Sequence, residues 1–252
     1  MTTTLYRKKH LSAPLKFLLV LLLLMSCLLT SCGKGGTDTI TADTDPEDIK
    51  GEEITADQWK AAFDLSSLTN FSMKTSLTSE YGSSISCTVL FSEDLILIKI
   101  KPIGASEELE YYCLVKDEDG SYARYEATYH DSSLSQPDWC QYSEHWSRDD
   151  IFNQVLMGET MGYAPQLVLA DSLTFDMVTY DQKQKSYYLA SSDDSDEIKS
   201  FHCKIINGIV AYYEIEVGSD DWVDWGFEAP IEETILYDIG TTTVEKPANL
   251  PQ

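Results

Sequence analysis

Alternation of apolar and polar side chains at every second residue restricts this chain's fold more than any other feature. Phe71, Met73 and Leu77 alternate with Ser72, Lys74, Ser76 and Thr78. Ile85, Cys87, Val89 and Phe91 alternate with Ser84, Ser86, Thr88 and Ser92, broken only at Leu90. Leu109, Tyr111, Cys113 and Val115 repeat the pattern after a strand-like stretch from Leu95 to Lys101, and Asp119-Gly120 then turns the chain into Tyr122 to Tyr129. Successive side chains of a strand point to opposite faces, so this spacing describes strands with one buried face. Short turns between them predict an antiparallel meander.

Further strands are predicted over Phe175 to Tyr180, Tyr187 to Ala190, Ile198 to Ile206 and Ile209 to Val217. The last two flank Asn207-Gly208, a two-residue hairpin signal in which both turn residues take positive φ. That turn pairs Ile206 with Ile209. Strict alternation from there puts Phe201, Cys203, Ile205, Val210 and Tyr212 on one face. Ile206, Ile209, Ala211, Tyr213, Ile215 and Val217 fall on the other, with His202 and Lys204 among them. Both faces are therefore substantially apolar, and each needs a cover. Two helices are predicted. One opens at Thr55, where Gln58 completes a capping box ahead of Trp59, Ala62 and Phe63; the second opens at Ser147, with Asp150 three places on and Ile151, Phe152, Val155 and Leu156 following. The fold class is α+β and β-dominated, a single domain over residues 54–245.

The N-terminus is of a different kind. Arg7, Lys8, Lys9 and Lys16 precede an apolar run from Phe17 to Leu29, and no acidic residue occurs before Asp38. About thirteen residues are too few for the ~20 that span a bilayer as a helix. A basic segment, a short apolar core and small residues make an export signal over residues 1–31. It ends in Leu29-Thr30-Ser31-Cys32-Gly33, which resembles the lipobox of bacterial lipoproteins. The resemblance implies that Cys32 is the lipidation site, its thiol carrying diacylglycerol, with palmitate-type chains holding the protein on the extracytoplasmic face of the cell membrane. Residues 32–53 are rich in Thr and Asp and poor in apolar side chains, which predicts a flexible acidic tether, and residues 246–252 read as a loose tail.

Net charge narrows the choice of partners. The precursor carries −24; without residues 1–31 the chain holds 14 basic and 42 acidic side chains, a net −28. Such a field repels phosphates, so nucleic acid is excluded as a partner. It also repels an anionic surface, leaving lipid to make the membrane attachment.

Catalytic and metal patterns are missing from the sequence: no nucleophile elbow, no His-Glu-x-x-His, no phosphate loop and no calcium loop. The chain reads as a non-enzyme with no cofactor, no catalytic residues and no metal ligands. Acidic clusters such as Asp117-Glu118-Asp119 are solvated turn residues. Cys87, Cys113, Cys140 and Cys203 allow two disulfides in three connectivities. Apolar strand positions for Cys87, Cys113 and Cys203 instead favour free thiols. A candidate apolar ligand surface combines Tyr213, Ile215 and Val217 with Trp222 and Trp225, where aromatic rings cluster on a strand face and the segment after it.

Several stretches together look like those of uncharacterised lipoproteins of Gram-positive bacteria. They are Trp59 in its short helix, Phe175-Asp176, Tyr180-Asp181, Ser186-Tyr187, the Asn207-Gly208 hairpin, and Tyr237-Asp238-Ile239-Gly240-Thr241-Thr242. The architecture of that group is similar to the LolA/LolB and LppX-like lipoproteins. The resemblance implies a curved antiparallel half-barrel with a few packed helices and an apolar cavity for a hydrophobic or amphipathic ligand such as a lipid. It implies no catalytic residue. The stretch from Ser132 to Trp146 departs from that pattern as an insertion. The alternative reading is a structural or interaction protein of the cell envelope with no small-molecule ligand and an unspecified protein partner.

Replacing Cys32 with Ala is expected to abolish incorporation of labelled palmitate into the protein. Undiminished labelling of the variant would rule out Cys32 as the acceptor.

Overall fold

The computed structural model describes residues 39–78, 84–101, 109–129, 137–152, 173–189, 198–217 and 231–251. Residues 39–252 form one compact unit, and residues 1–38 lie outside the described part. Among the described residues, eleven strands make one open, wholly antiparallel sheet, a β-dominated half-barrel-like fold with two α-helices. Six strands come first: β1 (Asn70–Thr78), β2 (Ser84–Ser92), β3 (Leu95–Lys101), β4 (Leu109–Lys116), β5 (Tyr122–Tyr129) and β6 (Cys140–Trp146). Five follow: β7 (Val178–Asp181), β8 (Ser186–Leu189), β9 (Ile198–Ile206), β10 (Ile209–Val217) and β11 (Ile231–Tyr237). The spatial order is β6-β5-β4-β3-β2-β1-β11-β10-β9-β8-β7. Two meanders thus run outward from a central β1–β11 pair, which joins Met73 to Leu236 and Thr75 to Thr234.

Alternation placed most of the strands, and it missed two. Strand β6 carries Cys-Gln-Tyr-Ser-Glu-His-Trp, all exposed except Trp146, so neither face shows an apolar period. The second half of the stretch read as an insertion, Cys140 to Trp146, pairs with β5 with a register shift between Ala123 and Tyr125, and residues 132–136 lie outside the described residues. Strand β11 is buried on both faces at Ile235, Leu236 and Tyr237, and a continuous apolar run has no period of two. Phe175–Met177, expected as strand, forms a 3₁₀ turn ahead of β7.

The hairpin turn is as expected, with φ of 52° at Asn207 and 74° at Gly208 and Ile206 opposite Ile209. Beyond it the facing differs from strict alternation. A register shift between Val210 and Tyr212 inserts one extra residue, Ala211. A bulge of this kind flips every later side chain to the opposite face. Tyr213 and Ile215 therefore join Val210, Ile205, Cys203 and Phe201, while Tyr212 turns to the other side with Ile206.

Both faces are apolar and both are covered. On the inner face lies α1 (Ala56–Ala62), opened by the expected capping box: Gln58 Oε1 accepts from the Thr55 N–H at 3.0 Å. The second helix, α2 (Arg148–Asp150), is capped reciprocally by Ser147 and Asp150, and helical backbone continues into Ile151 and Phe152, which enter the core where the described residues end. Val155 and Leu156 lie outside the described residues. Among the described residues no helix is long and apolar enough to cross a membrane.

Residues 39–53 and the stretch after β11 cover the outer face. Residues 39–53, expected as part of a tether, lie against the sheet as a strap. Ile49 is 2% exposed and packs with Ile40 on Tyr212, Ile235 and Tyr237. The Asp238 N–H donates to Ile40 O at 3.1 Å, the Glu52 N–H to Ile205 O at 2.7 Å, and the Gly208 N–H to Glu52 Oε1 at 2.7 Å. At Gly51 the strap crosses toward the inner face so closely that a Cβ would sit 2.4 Å from Lys185 O, a contact only glycine avoids. Lys204, 2% exposed, donates its ammonium to Pro46 O. Low apolar content misled the tether reading because two isoleucines and a set of backbone hydrogen bonds suffice to dock this stretch. The tail differs likewise from a loose one. Thr242 and Asn70 exchange two hydrogen bonds at 2.7 and 2.8 Å, and Val244 and Leu250 pack against the cluster of Leu95, Cys113, Ala123, Tyr125, Ala127 and Trp139.

Ile49→Ala is expected to cost about 2–4 kcal/mol in urea unfolding, the usual range for truncating a buried isoleucine. A change under ~0.5 kcal/mol would mean the strap does not bind the sheet.

Candidate functional site

Among the described residues the inner face buries two large apolar clusters with a polar seam between them. Under α1, Trp59 meets Phe63 at 5.1 Å, Tyr187 at 5.2 Å and Phe175 at 5.8 Å, all edge to face. Its indole N–H donates to Leu173 O at 2.7 Å, so the ring is fixed at both ends. The Tyr187 hydroxyl accepts from the Ile54 N–H at 2.7 Å and ties the start of α1 to β8. On β1–β4 the second cluster centres on Phe71 stacked at 4.9 Å on Phe91, with Val89, Ile96, Ile98 and Leu114 around them. Arg148 closes its lower edge. Its guanidinium lies 5.1 Å from Phe91 and 4.8 Å from Phe152 and donates to Ser66 O and Leu68 O.

The seam follows the central strands. Thr75 and Thr234 share a hydrogen bond at 2.8 Å, and the Tyr213 hydroxyl donates to the Glu232 carboxylate. Glu232 is 1% exposed and Tyr213 equally buried. Burial first, and then the neighbouring Glu232 charge, push the Tyr213 phenol well above its ordinary range. A half-barrel with a purely apolar lining would have no such seam; here a polar strip runs between two apolar basins.

Against that frame of residues, the sequence-predicted site resolves unevenly. Tyr213 and Ile215 come together on the inner face, packed under α1 with Trp59 and Phe63, at 1% and 0% exposure. Their surroundings are filled by protein. Val217 ends β10, and its side chain lies outside the described residues, as do Trp222, Trp225 and Cys32. Sequence reasoning did not pick out Glu232, because one carboxylate among 42 acidic residues carries no signal until β11 is recognised as a strand facing inward.

One grouping mimics a catalytic triad. The His145 Nδ1 lies 3.0 Å from Asp117 Oδ2 and 3.3 Å from Ser121 Oγ. Both contacts use the same ring nitrogen, so the imidazole cannot take a proton from serine while its other nitrogen is held by the carboxylate. The Ser121 hydroxyl is moreover directed at Asp119 Oδ1, 2.7 Å away. This is a turn staple. His202 is stacked on Tyr188 at 4.5 Å, with Tyr212 edge-on at 5.5 Å; burial, then Lys204, lower its pKa to about 4. It stays neutral at neutral pH. No set of three or more His, Cys, Asp or Glu side chains among the described residues is arranged to hold a metal ion.

All four cysteines of the described residues are free thiols, with Cys87, Cys113 and Cys203 buried and Cys140 exposed. Burial pushes the Cys87 and Cys113 thiols up to about 12 and Cys203 well above its ordinary value.

No protein-family model matches the chain, and no curated protein matches it. Among solved structures it is similar to a LolA superfamily protein from Nitrosomonas europaea. The two are 11% identical, and the match covers 79% of this chain and 96% of that one, with a TM-score of 0.27. Likeness at that level carries no argument, so the fold stands on the strand order and the function on the site.

Alkylation of the folded protein at pH 8 is expected to modify Cys140 and spare Cys87, Cys113 and Cys203, since only a thiolate reacts and only Cys140 is reachable. Peptide mapping that finds Cys203 modified as fast as Cys140 would contradict the packing under α1.

Proposed function

We propose that this chain is a lipoprotein held at the extracytoplasmic face of the cell membrane by lipid on Cys32, and that its sheet domain is a non-enzymatic carrier of a hydrophobic or amphipathic ligand. The anchoring half rests on Leu29-Thr30-Ser31-Cys32 and the basic, short apolar stretch before it. The observation that carries the binding half is the inner face. Beneath its cover the inner face holds two apolar clusters flanking a buried polar strip at Thr75, Thr234, Tyr213 and Glu232, the pattern an amphipathic molecule would match. Acyl chains would lie along the apolar basins, and the polar strip would meet a head group. Burying a 16-carbon chain contributes on the order of 10 kcal/mol before association costs, at ~0.8 kcal/mol per methylene.

A specific observation favours the alternative, a structural or interaction protein of the envelope. The basin under α1 is already filled, with Trp59, Phe63, Tyr187, Tyr213 and Ile215 packed on one another. The β1–β4 basin is closed as well, by Ile151, Phe152 and Arg148, so in the carrier reading α1 or the Ile151-Phe152 segment must move aside to admit a ligand.

Organic extraction of the protein purified without detergent, followed by mass spectrometry, separates the two. The carrier reading expects a lipid retained in roughly stoichiometric amount, and a fluorescent fatty acid that binds once it is removed. A protein that carries no lipid and whose melting temperature no fatty acid shifts would leave the structural reading standing.

A further inference from the structure

The outer face carries a cleft of about 330 Å³ between the strap and the central strands. The volume is at the small end of the range for ligand sites, ~300–1,000 Å³. Asp43, Thr44 and Pro46 form its strap wall, and the sheet supplies Lys74 and Ser76 from β1 with Glu233 and Ile235 from β11. Strand register determines how the charges sit. Lys74 is opposite Ile235 and Ser76 opposite Glu233, so Lys74 and Glu233 are diagonal neighbours, about 7–8 Å apart at the backbone. Two opposite charges therefore flank the cleft on adjacent strands. Among the described residues neither makes a hydrogen bond or an ion pair.

The next strand sharpens the arrangement. Glu214 of β10 lies directly opposite Glu233, a like-charged cross-strand pair. Burial, then Glu214, hold the Glu233 carboxyl above its ordinary range, with Lys74 opposing. A positive group beside Glu233 would relieve that repulsion. A simple cation would do so but would sit against the Lys74 ammonium. A simple anion at Lys74 would meet the field of Asp43, Glu214 and Glu233. One molecule that carries both charges, a few ångströms apart, matches both ends.

We propose that this cleft binds a small zwitterion of the α-amino-acid class. Its ammonium group faces Glu233 and its carboxylate faces Lys74, with the Thr44 and Ser76 hydroxyls as further hydrogen-bond partners. A small apolar side chain rests on Pro46 and Ile235. Because the strap forms one wall, the site exists only with the strap docked, and the ligand should strengthen that docking. The site is separate from the inner face, so it stands or falls independently of lipid carriage.

Titration calorimetry of the purified full chain at fixed ionic strength tests this with three probes: L-alanine, ethylamine and propionate. L-Alanine is expected to bind at least 10-fold more tightly than either single-charge analogue. Lys74→Met, at an exposed position whose loss leaves the core untouched, is expected to weaken L-alanine binding about 10-fold or more without changing the unfolding midpoint. Glu233→Gln is expected to weaken L-alanine binding to the same degree and, by removing the repulsion from Glu214, to raise the unfolding midpoint rather than lower it. Absence of binding by L-alanine would overturn the proposal. Binding of ethylamine as tight as that of L-alanine would reduce the cleft to a cation site in an acidic field, and an unaffected Lys74→Met variant would place the ligand elsewhere.

Discussion

A strand whose side chains are apolar on both faces exposes one of them to water unless something lies over it, and here that is true of the central strands. Strand β11 buries Leu236 inward and Ile235 and Tyr237 outward; β10 buries Tyr213 and Ile215 inward and Tyr212 outward. The remaining architecture answers this requirement. Helix α1 and the Ile151-Phe152 segment cover the inner side, and residues 39–53 with the stretch after β11 cover the outer. Ordering each strap residue costs roughly 1–2 kcal/mol of backbone entropy, so two isoleucines alone would not hold it. Backbone hydrogen bonds at Ile40, Gly51 and Glu52 and the buried Lys204 ammonium supply the rest. Residues 39–53 and 238–250 are part of the fold.

That dependence explains what could be read from sequence and what could not. Period-two alternation located β1, β2, β4 and β5, where one face is apolar and the other polar. Turn chemistry fixed the β9–β10 register at Asn207-Gly208 because only that turn geometry accepts two positive φ angles. Alternation fails where its premise fails. Strand β11 is apolar on both sides, β6 is polar on both, and the extra residue at Ala211 exchanges the facing of Tyr212 and Tyr213. A bulge has no composition of its own, so the hairpin's two faces were assigned correctly up to Val210 and inverted after it. Composition misjudged residues 39–53 for a related reason: it averages over a stretch, while docking depends on Ile40 and Ile49 at particular positions and on a glycine where the strap crosses Lys185.

The candidate sites differ in how far sequence could reach them. Tyr213 and Ile215 belong to the inner face, though as part of a packed aromatic cluster around Trp59. Glu232 and the threonine pair become visible only when β1 and β11 are seen to be neighbours, a contact between residues some 160 positions apart. Lys74 and Glu233 are brought together by the same pairing. The central strand pair thus creates both the polar strip of the inner face and the charged cleft of the outer face. Neither follows from local pattern, since each needs a strand from each meander.

The claim on which this account rests is that the strap and tail are docked parts of the sheet. Hydrogen exchange followed by mass spectrometry reads it directly. Peptides covering residues 47–54 and 238–243 are expected to be protected, through the Glu52, Asp238, Gly240 and Thr242 amides, and to lose that protection together with β10 and β11 as denaturant is raised. Complete exchange of those peptides within seconds in native buffer, while β10 and β11 stay protected, would contradict it.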